Sequence, residues 1–332
     1  SEDTHLLGEM GAALVRGVQR HIMACIKHYA CNSIERSRFK VNVKVAERVL
    51  REVYLPHFKR CVDEGAASVM SAYNKVNGDY CGHNRHLLTG ILKEEWGFDG
   101  FVISDFIFGV RDGRSAALAG LDIEMPFTRY FGRRLERLVR KGQVPETAID
   151  AAVLRILRQK VRFSCIGQTG RYSREIVAGP AHRALACEAA EKSAVLLKND
   201  PVEGKPLLPI DDSVRKVALL GRLADTPNTG DGGSSMVRAP AVVTPLEGLR
   251  QRAPNLELVY ADGRDPAAAA LAARTADLVI VVAGYTHADE GEYVAAVPLI
   301  AKEKGGDRFS LTLPPAEEEL ILTAAAVNPR TV

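Results

Sequence analysis

The sequence predicts an α/β protein with two domains, each built on a mostly parallel sheet. Two observations lead to this prediction. Short apolar runs alternate with amphipathic helical stretches along the chain, and 332 residues is a typical length for two domains. The composition is that of a globular protein, because 46% of the residues are hydrophobic and 26% are charged.

The first half of the chain contains four β-like apolar runs, at residues 22–30, 66–73, 101–106 and 121–126. Residues 41–65 and 84–97, which lie between them, carry apolar residues at three- and four-residue intervals, a spacing that predicts helices packed on a sheet. A closed barrel of eight strands needs about 200 residues or more. Four strands therefore indicate either an open sheet or part of a barrel whose first elements are absent.

The second half repeats this alternation after a predicted linker. A charged amphipathic helix is expected over residues 144–163, and a segment with two glycines follows it. We place the first domain at residues 1–165, the linker at 166–180 and the second domain at 181–332. The second domain should begin with a helix over 181–200 and continue with strands at 214–221, 256–263 and 276–285.

Charge and hydrophobicity argue against two classes of partner. The net charge is only +3 and is spread along the chain, whereas nucleic-acid-binding proteins concentrate basic residues on one surface. The longest apolar run, residues 276–285, is about half of the ~20 residues that a membrane-spanning helix needs. We expect neither nucleic acid nor a membrane as a partner.

Residues 1–17 lack the pattern of a signal peptide. The sequence leaves open whether the location is cytoplasmic or periplasmic/secreted, and it leaves open the oligomeric state.

The cysteines and other metal-binding residue types show no ligand pattern. No C-x-x-C pair and no cluster with the spacing of metal ligands occurs, so we expect neither a metal nor a cofactor. The six cysteines are interpreted as thiols, most of them buried: Cys25, Cys31, Cys61, Cys81, Cys165 and Cys187.

Polar residues follow the first three predicted strands, where parallel α/β folds place their chemistry. Asp105 ends a buried run and could serve as a nucleophile, a base or a metal ligand, or could cap the next helix. Lys27 and His28 end the first run, and their side chains should point to opposite faces unless the strand already bends. Lys27 alone could form a Schiff base, as in barrel aldolases, or have a structural role.

Two loops of the second domain could also contribute to a site. The glycine-rich residues 229–235 could cradle a phosphate, but they lack the order of a P-loop and its lysine. Residues 287–293 follow the strongest predicted strand and contain Asp289, Glu290 and Glu292. An acidic loop is usually only solvated, yet this position favours a second functional carboxylate.

Several segments resemble a known family in their order along the chain. The segments KHYACNSIERSRF (27–39), 51–78, NRHLLTGILKEEWGFDGFVISD (84–105) and AGLDIEMP (119–126) are similar to the barrel domain of glycoside hydrolase family 3, the β-glucosidase-like enzymes. NTGDGGSS (228–235), VVTPLEGL (242–249), DEGEY (289–293) and GGDRFSLTLP (305–314) resemble the α/β sandwich domain of that family. The resemblance implies an incomplete (β/α) barrel followed by a C-terminally truncated α/β sandwich, within an internal fragment of a longer enzyme.

The resemblance also implies roles for particular residues. Asp105 holds the place of the catalytic nucleophile, which forms a covalent glycosyl-enzyme with retention of configuration. The proton donor comes from the loop of the second domain that folds over the barrel mouth, so Glu290 is the expected acid/base and Glu292 the alternative. The sugar-binding positions correspond to Lys27, His28, Arg38, Tyr73, Phe106 and Ser234. Phe106 stands where many members carry Trp, and Asp122 and Glu124 should shape the mouth.

The expected function is that of a retaining, exo-acting β-glycosidase. The leading expectation is a β-glucosidase that hydrolyses small glucosides or short oligosaccharides. A β-xylosidase or another β-glycosidase of the family is the enzymatic alternative. The N-acetylglucosaminidase branch is disfavoured, because it uses a His-Asp pair of the barrel as acid/base. The other class of hypothesis is a non-catalytic fragment with weak sugar binding, since a barrel without its first strands has open edges.

Overall fold

The computed structural model describes residues 2–164, 172–294 and 304–332. The chain divides into two compact units, Ser1–Tyr172 and Ser173–Val332. Within the described ranges, no helix is both long and apolar enough to span a membrane. Cys31, Cys61 and Cys81 are buried thiols, whereas Cys25 and Cys187 are exposed; Cys165 lies outside the described residues.

Unit 1 is built around a parallel sheet of three strands in the order β1-β3-β6. The strands of unit 1, inside and outside this sheet, are β1 (Cys25–Tyr29), β2 (Asn42–Val43), β3 (Ser68–Ser71), β4 (Lys75–Val76), β5 (Asp79–Tyr80) and β6 (Phe101–Ile103). Its α-helices are α1 (Thr4–Val18), α2 (Glu47–Val49), α3 (Pro56–Asp63), α4 (Gly113–Ala119), α5 (Arg133–Arg140) and α6 (Glu146–Phe163). Two π-helical segments, Leu50–Tyr54 and His86–Glu95, and a 3₁₀ turn, Cys81–His83, complete the unit.

The core of unit 1 lies between this sheet and the helical crossovers. Tyr29, Leu50, Leu87 and Ile91 are completely buried in one cluster with Val102 of β6. Full burial of such a side chain contributes roughly 1.5–3 kcal/mol. These contacts hold the strands together at their centres and leave their carboxyl ends free to carry polar groups.

The structure differs from the predicted elements in two places of unit 1. The predicted helix over 41–65 begins instead with β2, which pairs in parallel with β4, and α3 begins at Pro56 after the π-helical segment. Residues 121–126 run beside β6 but form only one bridge, Ile103–Ile123. The ladder stops there because the Met125 amide donates to Ser104 Oγ (2.9 Å) and not to a backbone carbonyl.

Unit 2 contains a second parallel sheet, in the order β8-β7-β9. Its strands are β7 (Lys216–Leu220), β8 (Glu257–Ala261), β9 (Leu278–Val281) and the antiparallel pair β10 (Gly291–Val294) and β11 (Lys304–Gly306). Its helices are α7 (Pro180–Ser193), α8 (Pro245–Arg252), α9 (Pro266–Arg274) and α10 (Pro315–Val327). 3₁₀ turns form at Arg174–Ile176 and Arg222–Asp225.

The predicted helix over 181–200 ends early, at Ser193. Beyond it the backbone is extended at Ala194, and the Asn199 side chain bonds both the N–H and the C=O of Leu208.

The predicted pair of parallel α/β layers is confirmed. In unit 2, β7 is central, with β8 on one side and β9 on the other, and such a change of direction opens a crevice at the carboxyl ends of the strands.

Candidate active-site residues

The carboxyl ends of β1, β3 and β6 bring together four of the predicted residues: Lys27, His28, Tyr73 and Asp105. The register of β1 against β3 shifts by one residue between Ile26 and Tyr29, so the strand is irregular at Lys27 and His28. His28 Nε2 thereby lies 3.6 Å from Asp105 Oδ2, and the charge of Lys27 also acts on this carboxylate. Lys27 and His28 thus lie within β1, at the point where its register is irregular.

Asp105 is a buried carboxylate, with only 6% of its surface exposed. Its Oδ1 accepts the Phe106 amide at 2.8 Å. Burial raises the pKa of Asp105 above its ordinary value, while the Phe106 amide, the Tyr73 hydroxyl and the charges of Arg38 and Lys27 lower it. The following helix, α4, is capped by Asp112, so helix capping does not account for Asp105.

Tyr73 and Arg38 lie beside this carboxylate and are held by contacts of their own. The Tyr73 hydroxyl donates to the Phe106 carbonyl at 2.7 Å, which fixes the backbone next to Asp105. The Arg38 guanidinium lies 5.4 Å from the centre of the Tyr73 ring and 5.0 Å from that of Phe39, within the range of cation–π attraction. Arg38 is itself buried and pairs with Glu35 at 3.2 Å. Lys27, Arg38 and His28 thus make the surroundings of Asp105 rich in hydrogen-bond donors.

The other predicted residues of unit 1 have different environments. Phe106 is 43% exposed and offers an apolar surface next to Asp105. Asp122 contacts Lys93 at 3.1 Å, Arg155 at 2.6 Å and the Val102 amide at 2.7 Å. This network makes Asp122 a buried structural link between β6 and two helices.

Glu124 has a separate role on the same segment. Its Oε2 accepts the amides of Tyr130 and Phe131, at 2.8 Å and 2.7 Å. Glu124 therefore fixes the backbone at Tyr130 and Phe131, and its Oε2 is occupied by these two donors.

In unit 2, the two acidic candidates differ in their contacts. Glu290 has a half-exposed side chain and pairs with Arg308 at 3.1 Å. Glu292 accepts the backbone amide of Ser234, and its side chain lies so close to Gly233 that a Cβ added there would clash with it. Glu292 is thus engaged with the glycine-rich loop, whereas Glu290 is held by one surface ion pair.

The glycine-rich loop is organised by its own acidic residue. Asp231 Oδ1 accepts the Gly233 amide at 2.9 Å and the Ser235 hydroxyl at 2.7 Å. Ser234 contacts Glu292 through its main chain. The amide of Gly233 is thus bonded to an acceptor within the loop, whereas a phosphate-binding loop leaves such amides free to bind the phosphate.

Three residues around the acidic loop were not found from the sequence: Arg222, Arg308 and Glu317. Arg222 binds Asp289 at 3.0 Å and Glu317 at 2.8 Å, and Arg308 binds Glu290. Arg222 comes just after β7, which is the only local signal for it. In the described part of the chain, no three His, Cys, Asp or Glu side chains are grouped so that they could hold a metal ion.

The comparisons with known proteins agree on one family. The model described as "Glycosyl hydrolase family 3 N terminal domain" matches residues 1–159, and the model described as "Glycosyl hydrolase family 3 C-terminal domain" matches residues 194–332. Thermostable beta-glucosidase B of Acetivibrio thermocellus is 35% identical over 100% of this chain and 43% of its own length. An exo-alpha-(1->6)-L-arabinopyranosidase of Bifidobacterium longum is 33% identical over 100% of this chain and 44% of its own length.

A solved structure gives the same result for the fold. The crystal structure of the Bifidobacterium adolescentis GH3 beta-glucosidase superposes with a TM-score of 0.85 and 30% identity, over 100% of this chain and 47% of that one. The chain thus spans less than half the length of these relatives. The predicted class, part of a (β/α) barrel followed by an α/β sandwich, is confirmed. With matches to both domains of the family, the chain belongs to glycoside hydrolase family 3.

Proposed function

We propose that this chain carries the reacting groups of a retaining, exo-acting β-glycosidase whose substrates are small β-glucosides. The observation behind the proposal is Asp105, a buried carboxylate surrounded by His28, Lys27, Arg38 and Tyr73. A sugar hydroxyl can accept hydrogen bonds from such donors and donate its own proton to a carboxylate, and hydrogen bonds to the 2-hydroxyl strengthen in the transition state of glycoside hydrolysis.

In the proposed reaction, Asp105 attacks the anomeric carbon as the bond to the leaving oxygen breaks. Glu290 donates a proton to that oxygen, and a β-linked sugar becomes α-linked to Asp105. Glu290 then removes a proton from water, which attacks the same carbon and releases Asp105. Two inversions give overall retention. The amide of Phe106 and the charges of Lys27 and Arg38 help to keep Asp105 ionised before the attack.

Turnover and labelling of this chain test the proposal. The chain should hydrolyse 4-nitrophenyl β-D-glucoside, with β-glucose as the first product by NMR, and Asp105→Asn should abolish turnover. A 2-deoxy-2-fluoro-β-glucoside with a good leaving group should add one sugar to the peptide that contains Asp105, by mass spectrometry. The non-catalytic alternative holds if the chain only binds glucose weakly and forms no adduct.

The leaving-group dependence separates the two candidate acids. Glu290→Ala should slow a phenyl glucoside far more than a dinitrophenyl glucoside, because an acidic leaving group needs little protonation. Glu292→Ala serves as the matched comparison, since Glu292 is bound to the Ser234 amide. If only Glu292→Ala shows this pattern, the assignment is reversed.

The sugar preference is a separate question, and one relative makes it specific. The similar protein of B. longum is named as an arabinopyranosidase, which supports testing a glycone other than glucose. Nitrophenyl glycosides of β-D-glucose, β-D-xylose, β-D-galactose, N-acetyl-β-D-glucosamine and α-L-arabinopyranose should be compared by kcat/KM. A β-D-xyloside preferred over the glucoside would establish the β-xylosidase alternative.

A further inference from the structure

Arg222 holds the loop that carries Glu290 at two points. Its Nη2 donates to the Gly284 carbonyl at 3.2 Å and to Asp289 Oδ2 at 3.0 Å. Its Nε donates to Glu317 Oε1 at 2.8 Å. One guanidinium therefore contacts the start of the loop, a residue next to Glu290, and helix α10.

Glu317 completes the attachment from the other side. It lies in the first turn of α10 and is only 7% exposed. Its Oε2 accepts the Gly284 amide at 2.5 Å, while its Oε1 binds Arg222. Both the N–H and the C=O of Gly284 are thus held, one by Glu317 and the other by Arg222.

Asp289 transmits this attachment to Glu290. Its Oδ2 accepts the Thr286 amide at 2.8 Å and the Thr286 hydroxyl at 3.0 Å. The Thr286 carbonyl in turn accepts the amide of Glu290 at 3.1 Å. The loop is therefore a closed turn whose acidic residue is bound to Arg222 immediately before Glu290.

A guanidinium suits this task better than an ammonium group. Its donors are fixed in one plane and can bind two carboxylates and a carbonyl at the same time, whereas a lysine presents a single point charge. The guanidinium also gives the buried carboxylate of Glu317 a cationic partner. Without Arg222, the buried carboxylate of Glu317 would lose its cationic partner, and Asp289 would lose its link to α10.

We infer that Arg222 is the positioning residue for Glu290, acting through Asp289, Gly284 and Glu317 to fix the loop in which this carboxylate lies. The inference rests on the role proposed above for Glu290. Arg222 itself takes no proton and makes no bond to the sugar in this scheme. Misplacing a reacting group by about 1 Å can cost about 100-fold in rate.

The first test is amide hydrogen exchange on the whole chain. In Arg222→Met, the amides of Gly284 and Thr286 should exchange at least ~10-fold faster, because their acceptors Glu317 and Asp289 lose their common partner. The amides of β7 should keep their protection, which shows that unit 2 is folded. Arg222→Lys should give an intermediate change, and Arg264→Met, at an exposed arginine of the same unit, should give none. Unchanged exchange at Gly284 and Thr286 in a folded Arg222→Met protein would overturn the inference.

The second test is kinetic and excludes a merely structural role. Arg222→Met should lower kcat for phenyl β-glucoside by about 10- to 100-fold, and that for dinitrophenyl β-glucoside by less than about 3-fold, with little change in KM. An equal loss for both substrates would refute positioning of the acid. If the unsubstituted chain turns over neither substrate, the proposed function fails, and the exchange experiment still decides whether Arg222 fixes the loop.

Discussion

His28 Nε2 lies 3.6 Å from Asp105 Oδ2, although the two residues belong to different strands of the sheet in unit 1. The shift in register between Ile26 and Tyr29 accompanies this approach. Both residues are largely shielded, with side chains 27% and 8% exposed. A strand irregularity thus places a donor next to a buried carboxylate, and this relationship has measurable consequences.

The first prediction concerns the contribution of His28 to turnover. We expect His28→Gln to lower kcat/KM for 4-nitrophenyl β-D-glucoside by about 10- to 100-fold, because a hydrogen bond to a charged or developing charged group contributes ~1.5–3 kcal/mol. His86→Gln is the control, since His86 pairs with Glu47 on the surface. Equal kcat/KM for the two variants would contradict a role of His28 at the site.

The second prediction follows from the burial of Asp105. Burial raises its pKa above the ordinary value of 3.8, so the acid limb of kcat/KM should lie at a higher pH than that value. The folded chain then binds this proton more tightly than the unfolded chain, and the contribution of Asp105 to stability falls as pH rises through the folded pKa. Asp105→Asn should therefore be more stable than the wild type at pH 7.

Urea unfolding as a function of pH checks this prediction. The stability advantage of Asp105→Asn should shrink as pH falls below about 4, where the wild-type carboxyl is protonated in both states. Asp63→Asn, at an exposed carboxylate paired with Lys59, should show no such advantage at pH 7. An Asp105→Asn protein less stable than the wild type at pH 7 would be inconsistent with a raised pKa.

The convergence of Lys27, His28, Tyr73 and Asp105 could be predicted, because the carboxyl ends of parallel strands meet at one edge. The local hydrophobic periodicity was not sufficient to predict strand β2. Val43 belongs to a helix-like periodic stretch, yet it pairs with Val76 in a short parallel bridge that only tertiary contact provides.

The contacts of Arg222 in unit 2 were also outside the reach of the sequence. Its partners Asp289 and Glu317 are distant in the chain and follow no motif. The resemblance to family members indicated which loop carries the acidic residues; it did not indicate what holds that loop. Side-chain contacts between distant segments leave no periodic trace in a single sequence.

The third prediction concerns the buried charges around Asp122. Its carboxylate is inaccessible and forms ion pairs with both Lys93 and Arg155. Asp122→Asn should cost about 3–5 kcal/mol, because it leaves two cations without their anion. Urea unfolding at pH 7 measures this loss, with Asp63→Asn as the exposed control. A loss below about 1 kcal/mol would show that the network is not a structural link.

Lys93 gives this network a pH dependence. Burial lowers the pKa of Lys93 from 10.5 to about 8. As pH rises, the folded chain therefore releases the Lys93 proton at a lower pH than the unfolded chain does. Stability due to Lys93 should therefore rise with pH between about 8 and 10.5 and be lost as pH falls through the folded pKa. The difference in unfolding free energy between wild type and Lys93→Met should grow in favour of the wild type over this range. A flat difference would contradict the lowered pKa.

The fourth prediction concerns Gly221, the residue between β7 and Arg222. Its φ is +103° and its ψ is +148°, a conformation that costs other residues about 1–3 kcal/mol, and an added Cβ would clash with the Val282 carbonyl oxygen. Gly221→Ala should therefore destabilise unit 2 by about 3 kcal/mol, since the backbone of Val282 cannot yield without disturbing its bond to Leu220. Gly204 separates the two causes, because its φ is +88° but no described atom lies within 4 Å of the position that a Cβ would take. Gly204→Ala should thus lose only the conformational part, about 1 kcal/mol, and equal losses in thermal unfolding would rule out the steric contact.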